Sequence, residues 1–395
     1  MLTNLPPRFV FRHSTRQIIF GWGVISELGE LARQHGARRS AIVFDGVFRD
    51  TEMLDGIVRQ LTASTDADPA VYFVPPHEPD TDVVDACHAV LRVADPDLIV
   101  AVGGGSTMDA AKVARTMLEN PGGAAAIAGF DVDHQPHRSL FIGVPTTAGT
   151  GSEVSEMAVI SQPGSDIKLR YRSTALPFHI ALLDPALTLS MPRAVTAHTG
   201  FDAFTHALEG YVSNAANAMT EPLSHNAMTL LARWLPIAIS EPGHREARSY
   251  CLLGSMQAAV AFNTTQLGLC HALSAPLGAM HHVAHGRANA LALPAVTAFN
   301  EPAMGAKAAV IARILAAPTA ALGVARFRAA IGLDGSLDDI ITDAAGRDAL
   351  AHAALKSGNL RYNPRAVGLD EVRGVIEAMR VSTAGDPAAA GGAAE

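Results

Sequence analysis

Short, continuous apolar runs alternate with helical patterns through the first half of the chain. Six runs stand out: AIVF (41–44), VYFV (71–74), LIVAV (98–102), LFIGV (140–144), AVIS (within 157–161) and IALL (180–183). A run that no polar residue interrupts is typical of a strand buried on both faces of a parallel sheet. Between the runs, apolar residues recur at helical spacing over roughly 24–35, 51–63, 81–94 and 106–118. This alternation predicts an α/β domain with a mostly parallel sheet.

The pattern changes after Asp184. From Pro192 to about Arg380 the apolar spacing is helical and β-branched residues do not cluster, which predicts an all-α domain. The segment LDPALTLSMP (183–192) carries two prolines and is the expected hinge. We therefore expect an α/β domain over residues 1–185 and a helical domain over 186–381. Residues 382–395 are rich in Ala and Gly, which favours a flexible tail.

Composition narrows the class of protein. The 395 residues are 49% hydrophobic and 17% charged, enough for two buried cores. The net charge is −8 and no basic run occurs, so we expect neither nucleic acid nor a membrane surface as a partner. Three well-separated cysteines, no signal-peptide pattern and no apolar run of about 20 residues favour a cytoplasmic protein with reduced thiols.

Histidines are concentrated in one stretch of the second half. Four of the chain's 16 histidines lie in GLCHALSAPLGAMHHVAHGRANALALP (268–294), including His271 and His285. Upstream, GFDAFTHALEG places Asp202 and His206 four residues apart, on one face of a helix. Taken singly, each of these residues is more often an ordinary surface or core residue. One carboxylate and three imidazoles together form a ligand set for Fe²⁺ or Zn²⁺.

A glycine-rich turn follows the apolar run at 98–102. In LIVAVGGGSTMDAAK, the three glycines 103–105 let a ligand approach the backbone, and Ser106 and Thr107 are suited to cap a helix. The free N–H groups at such a helix start favour a phosphate. Glycines alone are a weak signal, because tight strand-to-helix turns also use them for packing.

Two further loops extend this turn into a dinucleotide site. FIGVPTTAGTGSE offers the hydroxyls of Thr146, Thr147 and Thr150 at the next strand end. Asp45 ends the first strand, where a carboxylate binds the ribose hydroxyls and repels a 2′-phosphate, favouring NAD over NADP. The common G-x-G-x-x-G fingerprint is absent, and Asp45 precedes the glycines instead of following them.

Taken together, these motifs resemble the iron-containing (group III) alcohol dehydrogenase family. The matching segments are IIFGWGVISELGEL, AVGGGSTMDAAK, PTTAGTGSEVS, DPALTLSMP, TGFDAFTHALEGYVS and HGRANALALP, in order over about residues 16–300. The family is similar in fold to dehydroquinate synthase. The resemblance therefore implies an N-terminal dinucleotide-binding domain and a C-terminal helical metal-binding domain.

The resemblance also implies the site residues. The metal ligands fall on Asp202, His206, His271 and His285. Cofactor contacts, counting Asp45 from the argument above, fall on Asp45, Gly103, Gly104, Gly105, Ser106, Asp109, Thr146, Thr147, Thr150, Lys168 and Leu187. No catalytic residue is assigned beyond the metal ligands.

One position departs from the family pattern. Many members carry a second histidine four residues after the first metal-ligand histidine, where it lines the pocket, but here that residue is Ala275. His281 and His282 are present instead, outside the core motif. We expect one of them to relay the alcohol proton, so that replacing it with alanine lowers turnover and flattens the pH profile.

The expected activity is metal-dependent hydride transfer between NAD(H) and a small alcohol or aldehyde. Fe²⁺ is the expected metal and Zn²⁺ the alternative, and we expect a homo-oligomer, with a dimer favoured. Three rival functions stay open: a maleylacetate reductase-like or other oxoacid reductase of the same family, a dehydroquinate synthase-like lyase, and a non-catalytic metal- or nucleotide-binding protein.

Overall fold

The chain forms two compact units. A computed structural model describes residues 8–165 and 168–380, so the expected tail at 382–395 lies outside the described residues. The α/β unit comprises His13–Met191, and the described residues of the helical unit are 8–12 and 192–380. Within the helical unit, the Arg12 backbone N–H donates to Thr264 Oγ1 at 2.7 Å.

The α/β unit is built on a six-stranded parallel sheet in the order β1-β9-β6-β4-β2-β3. Its strands and those of a second, smaller sheet are β1 Gln17–Phe20, β2 Ser40–Asp45, β3 Ala70–Val74, β4 Leu98–Gly103, β5 Gly129–Phe130, β6 Leu140–Pro145, β7 Met157–Ser161, β8 Lys168–Arg172 and β9 Ile180–Leu183. Its helices are α1 Leu28–Gln34, α2 Glu52–Thr62, α3 Thr81–Ala94 and α4 Gly105–Thr116. Short 3-10 turns lie at Val24–Glu27, Gly46–Phe48, Ala124–Ile127, Ser152–Val154 and Pro185–Thr188.

Both faces of the parallel sheet are buried, which explains the uninterrupted apolar runs. Successive residues of a strand point to opposite faces. Ala41 and Val43 of β2 therefore join one core cluster, whereas Ile42 and Phe44 join the cluster on the other face. The predicted parallel sheet is confirmed.

One predicted strand belongs to a different sheet. AVIS forms β7, which pairs antiparallel with β8 in a three-stranded sheet of order β5-β8-β7. Only alternate residues of β7, such as Ala158 and Ile160, are buried. Its placement in the parallel sheet is wrong because a short apolar run does not specify how many of its faces are covered. The short strands β1, β5 and β8 are not predicted at all.

The helical unit contains no strand among its described residues, as predicted. Its helices are α5 Arg193–Val212, α6 Thr220–Ser240, α7 Arg245–Thr265, α8 Leu269–His281, α9 His285–Asn300, α10 Ala306–Ile314, α11 Ala320–Ala330, α12 Ala344–Leu355 and α13 Leu369–Ala378, with 3-10 turns at Glu301–Ala303, Leu337–Asp339 and Gly358–Tyr362. Helix α5 packs against α6, α7 and α9, so it is central in this unit. Among the described residues, no helix is both long and apolar enough to cross a bilayer.

Candidate metal centre and cofactor loops

One face of helix α5 carries three ionisable side chains into the interior of the helical unit. Asp202, His206 and Glu209 occupy positions i, i+4 and i+7, which lie on one side of a helix. Their exposed fractions are only 4–5%. Buried groups of this kind persist only when they are paired or bind an ion.

The junction of helices α8 and α9 supplies the other two histidines. His271 lies in the first turn of α8, and His285 is the first residue of α9. His282 adopts a left-handed conformation (φ 54°) that ends α8. At Gly286 a Cβ would lie 2.1 Å from His198 O, so only glycine lets α9 begin this close to α5.

Three imidazole nitrogens surround one carboxylate oxygen. Asp202 Oδ1 lies 3.4 Å from His206 Nε2, 3.6 Å from His271 Nε2 and 3.5 Å from His285 Nε2. The ligand atoms of Asp202, His271 and His285 all lie within 4.8 Å of one another, and His206 joins them through its approach to Asp202. Ligands about 2.1 Å from a tetrahedral ion are separated by about 3.4 Å. The spacing therefore suits one metal ion.

The surroundings of these atoms also suit a metal. His271 Nε2 is buried and has no hydrogen-bond partner among the described residues, which is uncommon for a buried nitrogen. The side chain of His285 is 46% exposed, whereas those of Asp202, His206 and His271 are at most 7% exposed. The centre is therefore accessible from the side of His285, where a substrate oxygen could approach the ion as a further ligand.

Glu209 and Asn289 form hydrogen bonds to expected ligands, and sequence reasoning missed both. Glu209 accepts hydrogen bonds from His271 Nδ1 at 2.5 Å and from the Cys270 backbone N–H at 2.7 Å. Asn289 Nδ2 donates to Asp202 Oδ1 at 2.7 Å. Their spacing was the available signal: Glu209 follows His206 by three residues, and Asn289 follows His285 by four, so each shares a helix face with a ligand.

Burial and mutual contact set the charges of the centre. Burial alone would raise the pKa of Asp202, but the neighbouring histidines hold it below its usual range. Burial lowers the pKa of His206 to about 4, because it outweighs the attraction of Asp202. Burial also opposes a charge on His271, yet the carboxylates of Asp202 and Glu209 raise its pKa to about 9. A metal would therefore displace a proton from His271.

The neighbouring Cys270 differs from the histidines. Burial raises the pKa of its thiol well above the ordinary value. Its Sγ lies 3.7 Å from the backbone oxygen and the Oδ1 of Asn289. Cys270 is therefore a neutral thiol that packs beside the centre.

In the α/β unit, the predicted cofactor loops converge at the carboxyl ends of β2, β4 and β6. A Cβ at Gly103 would lie 2.8 Å from Asp45 Cβ, and a Cβ at Gly105 would lie 2.7 Å from the side chain of Thr150. The Thr146 backbone N–H donates to Gly103 O at 3.0 Å. Ligands of open parallel sheets bind at such an edge.

Helix α4 begins at this edge without a side-chain cap. Its N-cap residue is Gly104, which makes no side-chain hydrogen bond, and Ser106 in the first turn is exposed. The first N–H groups of a helix have no partner within the helix and attract anions. The geometry therefore suits a phosphate group at residues 103–106.

Asp109 is tied to the neighbouring loop. Its carboxylate accepts hydrogen bonds from Ser152 Oγ at 2.6 Å and from the Val159 N–H at 2.9 Å. The buried Lys112 donates to Ser152 Oγ and to Met157 O, both at 2.8 Å. Sequence reasoning missed this lysine, although it follows Asp109 by three residues. Burial lowers its pKa to about 8.

Two predicted cofactor residues lie in other surroundings. Lys168 starts β8 and pairs with Glu78. Leu187 lies in the 3-10 turn after β9 and packs against a core cluster of the parallel sheet. The described contacts do not join either residue to the glycine and threonine loops.

Most of the chain matches proteins of one family. Residues 15–185 match the family described as iron-containing alcohol dehydrogenase. Residues 196–380 match the family described as "Fe-containing alcohol dehydrogenase family, C-terminal". The probable alcohol dehydrogenase EutG of Escherichia coli (strain K12) is 35% identical over 367 residues, covering 91% of this chain and 92% of that protein. The NAD-dependent methanol dehydrogenase of Bacillus methanolicus is 28% identical over 371 residues, covering 91% of this chain and 97% of that protein. The crystal structure of a 1,3-propanediol oxidoreductase matches with a TM-score of 0.89 and 30% identity, covering 94% of this chain and 100% of that chain.

Proposed function

The chain belongs to the iron-containing alcohol dehydrogenase family, and from that premise we propose that it transfers a hydride reversibly between NAD(H) and a small alcohol or aldehyde. The resemblance noted in the motifs is confirmed, as is the expected fold. The chain is therefore an oxidoreductase, and neither a dehydroquinate synthase-like lyase nor a non-catalytic binding protein is proposed.

The proposed metal ligands are Asp202, His206, His271 and His285. The observation that carries this assignment is the convergence of three imidazole Nε2 atoms on Asp202 Oδ1. Fe²⁺ is the proposed metal because of the family, and Zn²⁺ accepts the same nitrogen and oxygen ligands.

The proposed cofactor site occupies the carboxyl edge of the parallel sheet. The start of α4 binds the pyrophosphate, and Asp45 binds the ribose hydroxyls of NAD. In this scheme residues 1–185 bind the dinucleotide, and residues 186–381 hold the metal and the substrate. The full set of proposed cofactor residues is Asp45, Gly103, Gly104, Gly105, Ser106, Asp109, Thr146, Thr147, Thr150, Lys168 and Leu187.

The chemistry follows from the two bound groups. When bound, the metal would supply Lewis acidity that polarises a carbonyl or acidifies an alcohol, and NAD(H) would accept or donate the hydride. Glu209 holds the Nδ1 proton of His271, so that the proton a metal would displace is the one on Nε2. Asn289 orients Asp202 by donating to its Oδ1. The exposed side of His285 leaves room for the substrate oxygen.

The state of the protein in the cell is part of the proposal. We propose a homo-oligomer, with a dimer favoured, which light scattering on the purified protein would measure. We also propose a cytoplasmic location, because the three cysteines are free and buried, as suits a reducing compartment.

Alanine variants of the metal ligands test the proposed function. The enzyme, reconstituted with Fe²⁺ under anaerobic conditions, is assayed for NADH oxidation with propanal, and bound metal is measured by mass spectrometry. His271→Ala and His285→Ala should each lose most of the bound metal and at least about 100-fold in turnover, because each removes one of four ligands. Circular dichroism should show the fold retained.

His352→Ala is the matched control. His352 is exposed and pairs with Asp348 on helix α12. It should keep full metal content and turnover. Full turnover in His271→Ala with no bound metal would overturn the proposal.

A further inference from the structure

Residues 362–365, between helices α12 and α13, reach the ends of all three helices that carry the proposed metal ligands. The backbone N–H of Asn214, two residues after the end of α5, donates to Tyr362 O at 2.9 Å. Arg365 Nη1 donates to Phe299 O at 2.8 Å, one residue before the end of α9. The side chain between these two contacts reaches the start of α8. The segment 362–365 therefore joins α5, α8 and α9 within the helical unit.

Asn363 is the buried centre of this segment. Its Oδ1 accepts hydrogen bonds from the Leu269 backbone N–H at 3.2 Å and from Asn300 Nδ2 at 2.9 Å. Its Nδ2 donates to Asn300 Oδ1 and to Arg365 O, both at 2.8 Å. Asn363 is only 3% exposed, and these four bonds use both hydrogens and both lone pairs of its amide. The side chain is therefore held in one orientation, with its oxygen toward α8.

The start of α8 depends on side chains from other elements. Its N-cap residue is Gly268, which has no side chain to bind the free N–H groups of the first turn. Asn363 binds the Leu269 N–H in its place, and Glu209 of α5 binds the next N–H along the chain. A Cβ at residue 268 would lie 3.0 Å from an oxygen of each of these two side chains. The first turn of α8, which carries His271, is therefore held between α5 and the segment 362–365.

The same turn fixes the orientation of the ligand His271. One carboxylate oxygen of Glu209 accepts from the Cys270 N–H, and the other accepts from His271 Nδ1. Leu269, Cys270 and His271 are consecutive, so a shift of Leu269 away from its partner moves the imidazole and the backbone N–H that holds Glu209. Metal–ligand distances are set to within about 0.2 Å. A small shift of this turn is therefore enough to weaken metal binding.

We propose that Asn363 is a positioning residue of the metal centre, which holds the first turn of α8 so that His271 meets the other ligands. The inference rests on the proposed function, because it concerns the same metal site. Asn363 also pairs with Asn300, the last residue of α9, and the first residue of that helix is the ligand His285. One amide thus ties together the two helices that supply His271 and His285.

Competition between the protein and a chelator for Zn²⁺ tests this role. A group that orients a metal-ligating histidine changes metal affinity about 10- to 100-fold. Asn363 acts through the backbone of α8, so Asn363→Ala should raise the Zn²⁺ dissociation constant by the lower value, about 10-fold. In protein loaded with Co²⁺, the visible absorption bands should also change, because they report the geometry of the ligands around the ion. Unchanged Zn²⁺ affinity would overturn the proposal.

Asn217→Ala is the matched control. Asn217 is also a buried asparagine of the helical unit, and its Oδ1 accepts hydrogen bonds from the Met219 and Thr220 N–H groups at the start of α6. Helix α6 carries no proposed ligand. Asn217→Ala should therefore lower the free energy of unfolding but leave the Zn²⁺ affinity and the Co²⁺ bands unchanged. An equal loss of Zn²⁺ affinity in both variants would show general destabilisation and would overturn the positioning role.

Hydrogen exchange tests the same coupling in the native protein. Coupling free energies are reciprocal, so bound metal should stabilise the segment by the factor with which the segment tightens metal binding. Peptides over residues 358–365 should exchange about 10-fold more slowly with Zn²⁺ than in stripped protein, and Asn363→Ala should lose this difference. Peptides over helix α10 should not change. Unchanged exchange over 358–365, or equal slowing over α10, would overturn the proposal.

The two proposals fail differently. If native protein does not bind Zn²⁺ at one ion per chain, the proposed metal centre itself fails. If native protein binds Zn²⁺ and Asn363→Ala binds it equally well, only the role of Asn363 fails.

Discussion

Replacing Glu209 with glutamine tests whether the hydrogen bond between Glu209 and His271 supports metal binding. The side chain keeps its size but loses its charge and one acceptor oxygen. In the native structure both carboxylate oxygens are engaged, one by His271 Nδ1 and the other by the Cys270 N–H. A glutamine that keeps the Cys270 contact presents its amide N–H₂ to Nδ1. The imidazole would then carry its proton on Nε2, where the metal should bind.

The magnitude follows from the same contact. Glu209 contributes to the raised pKa of His271, about 9, so its carboxylate interacts strongly with this imidazole. Loss of a group that orients a metal-ligating histidine costs about 10- to 100-fold in metal affinity. That range corresponds to about 1.4–2.8 kcal/mol.

Competition between the protein and a chelator measures the effect. Zn²⁺ is the convenient metal, because its affinity can be titrated in air. Glu209→Gln should raise the Zn²⁺ dissociation constant by about 10- to 100-fold, and Glu209→Asp should recover part of the loss. Glu246→Gln, an exposed change on α7, is the control and should bind as native protein does. A Glu209→Gln variant with unchanged Zn²⁺ affinity and a lower unfolding free energy would refute this account, because Glu209 would then only satisfy the Cys270 N–H.

Three further predictions concern the α/β unit. Asp45→Gly should raise the ratio of NADPH- to NADH-dependent turnover at least about 10-fold, since it removes the charge that repels the 2′-phosphate of NADPH. A native enzyme that already prefers NADPH would contradict the proposed role of Asp45 in selecting NADH. Lys112→Met should raise the KM for NAD about 10-fold with a smaller change in kcat, because it removes one of the two hydrogen bonds that join α4 to Ser152 of the threonine loop and leaves only the bond from Ser152 to Asp109. An equal loss with every substrate and cofactor would indicate general destabilisation. Burial raises the pKa of Glu153 from 4.5 to about 7. Glu153 therefore loses its proton at a lower pH in the unfolded chain than in the folded one, and the free energy of unfolding falls as the pH rises from about 4.5 to 7. Glu153→Gln should remove up to about 3 kcal/mol of that fall, measured by urea unfolding at the two pH values. An identical pH dependence of the unfolding free energy in both proteins would contradict the raised pKa of Glu153.

Much of the fold is predictable because its strands are covered on both faces. An uninterrupted run such as 98–102 has no solvent side, and its neighbours in sequence have the spacing of the covering helices. Where a strand has one open face, this signal weakens: β7 alternates buried and half-buried residues and joins a separate sheet. The two-residue strand β5 is too short to leave any pattern.

The proposed ligands could be singled out from the sequence because Asp202 and His206 share one face of a helix and because His271 and His285 lie in one histidine-rich stretch. The supporting groups are harder to predict, since sharing a helix face with a ligand places Glu209 and Asn289 near the site but does not tell which side chain each one contacts. Glu209 becomes distinctive only when the fold brings it to His271 Nδ1. The same holds for Asn363, which the fold brings to the first turn of α8.

Turnover measured against metal occupancy tests the central claim most directly. The purified protein is stripped with a chelator and titrated anaerobically with Fe²⁺, and bound metal and NADH-dependent aldehyde reduction are measured on the same samples. If the four ligands form the reaction centre, turnover should be negligible without metal, rise in proportion to occupancy and saturate at one ion per chain. Full turnover in the stripped protein, or turnover that does not follow occupancy, would contradict the account.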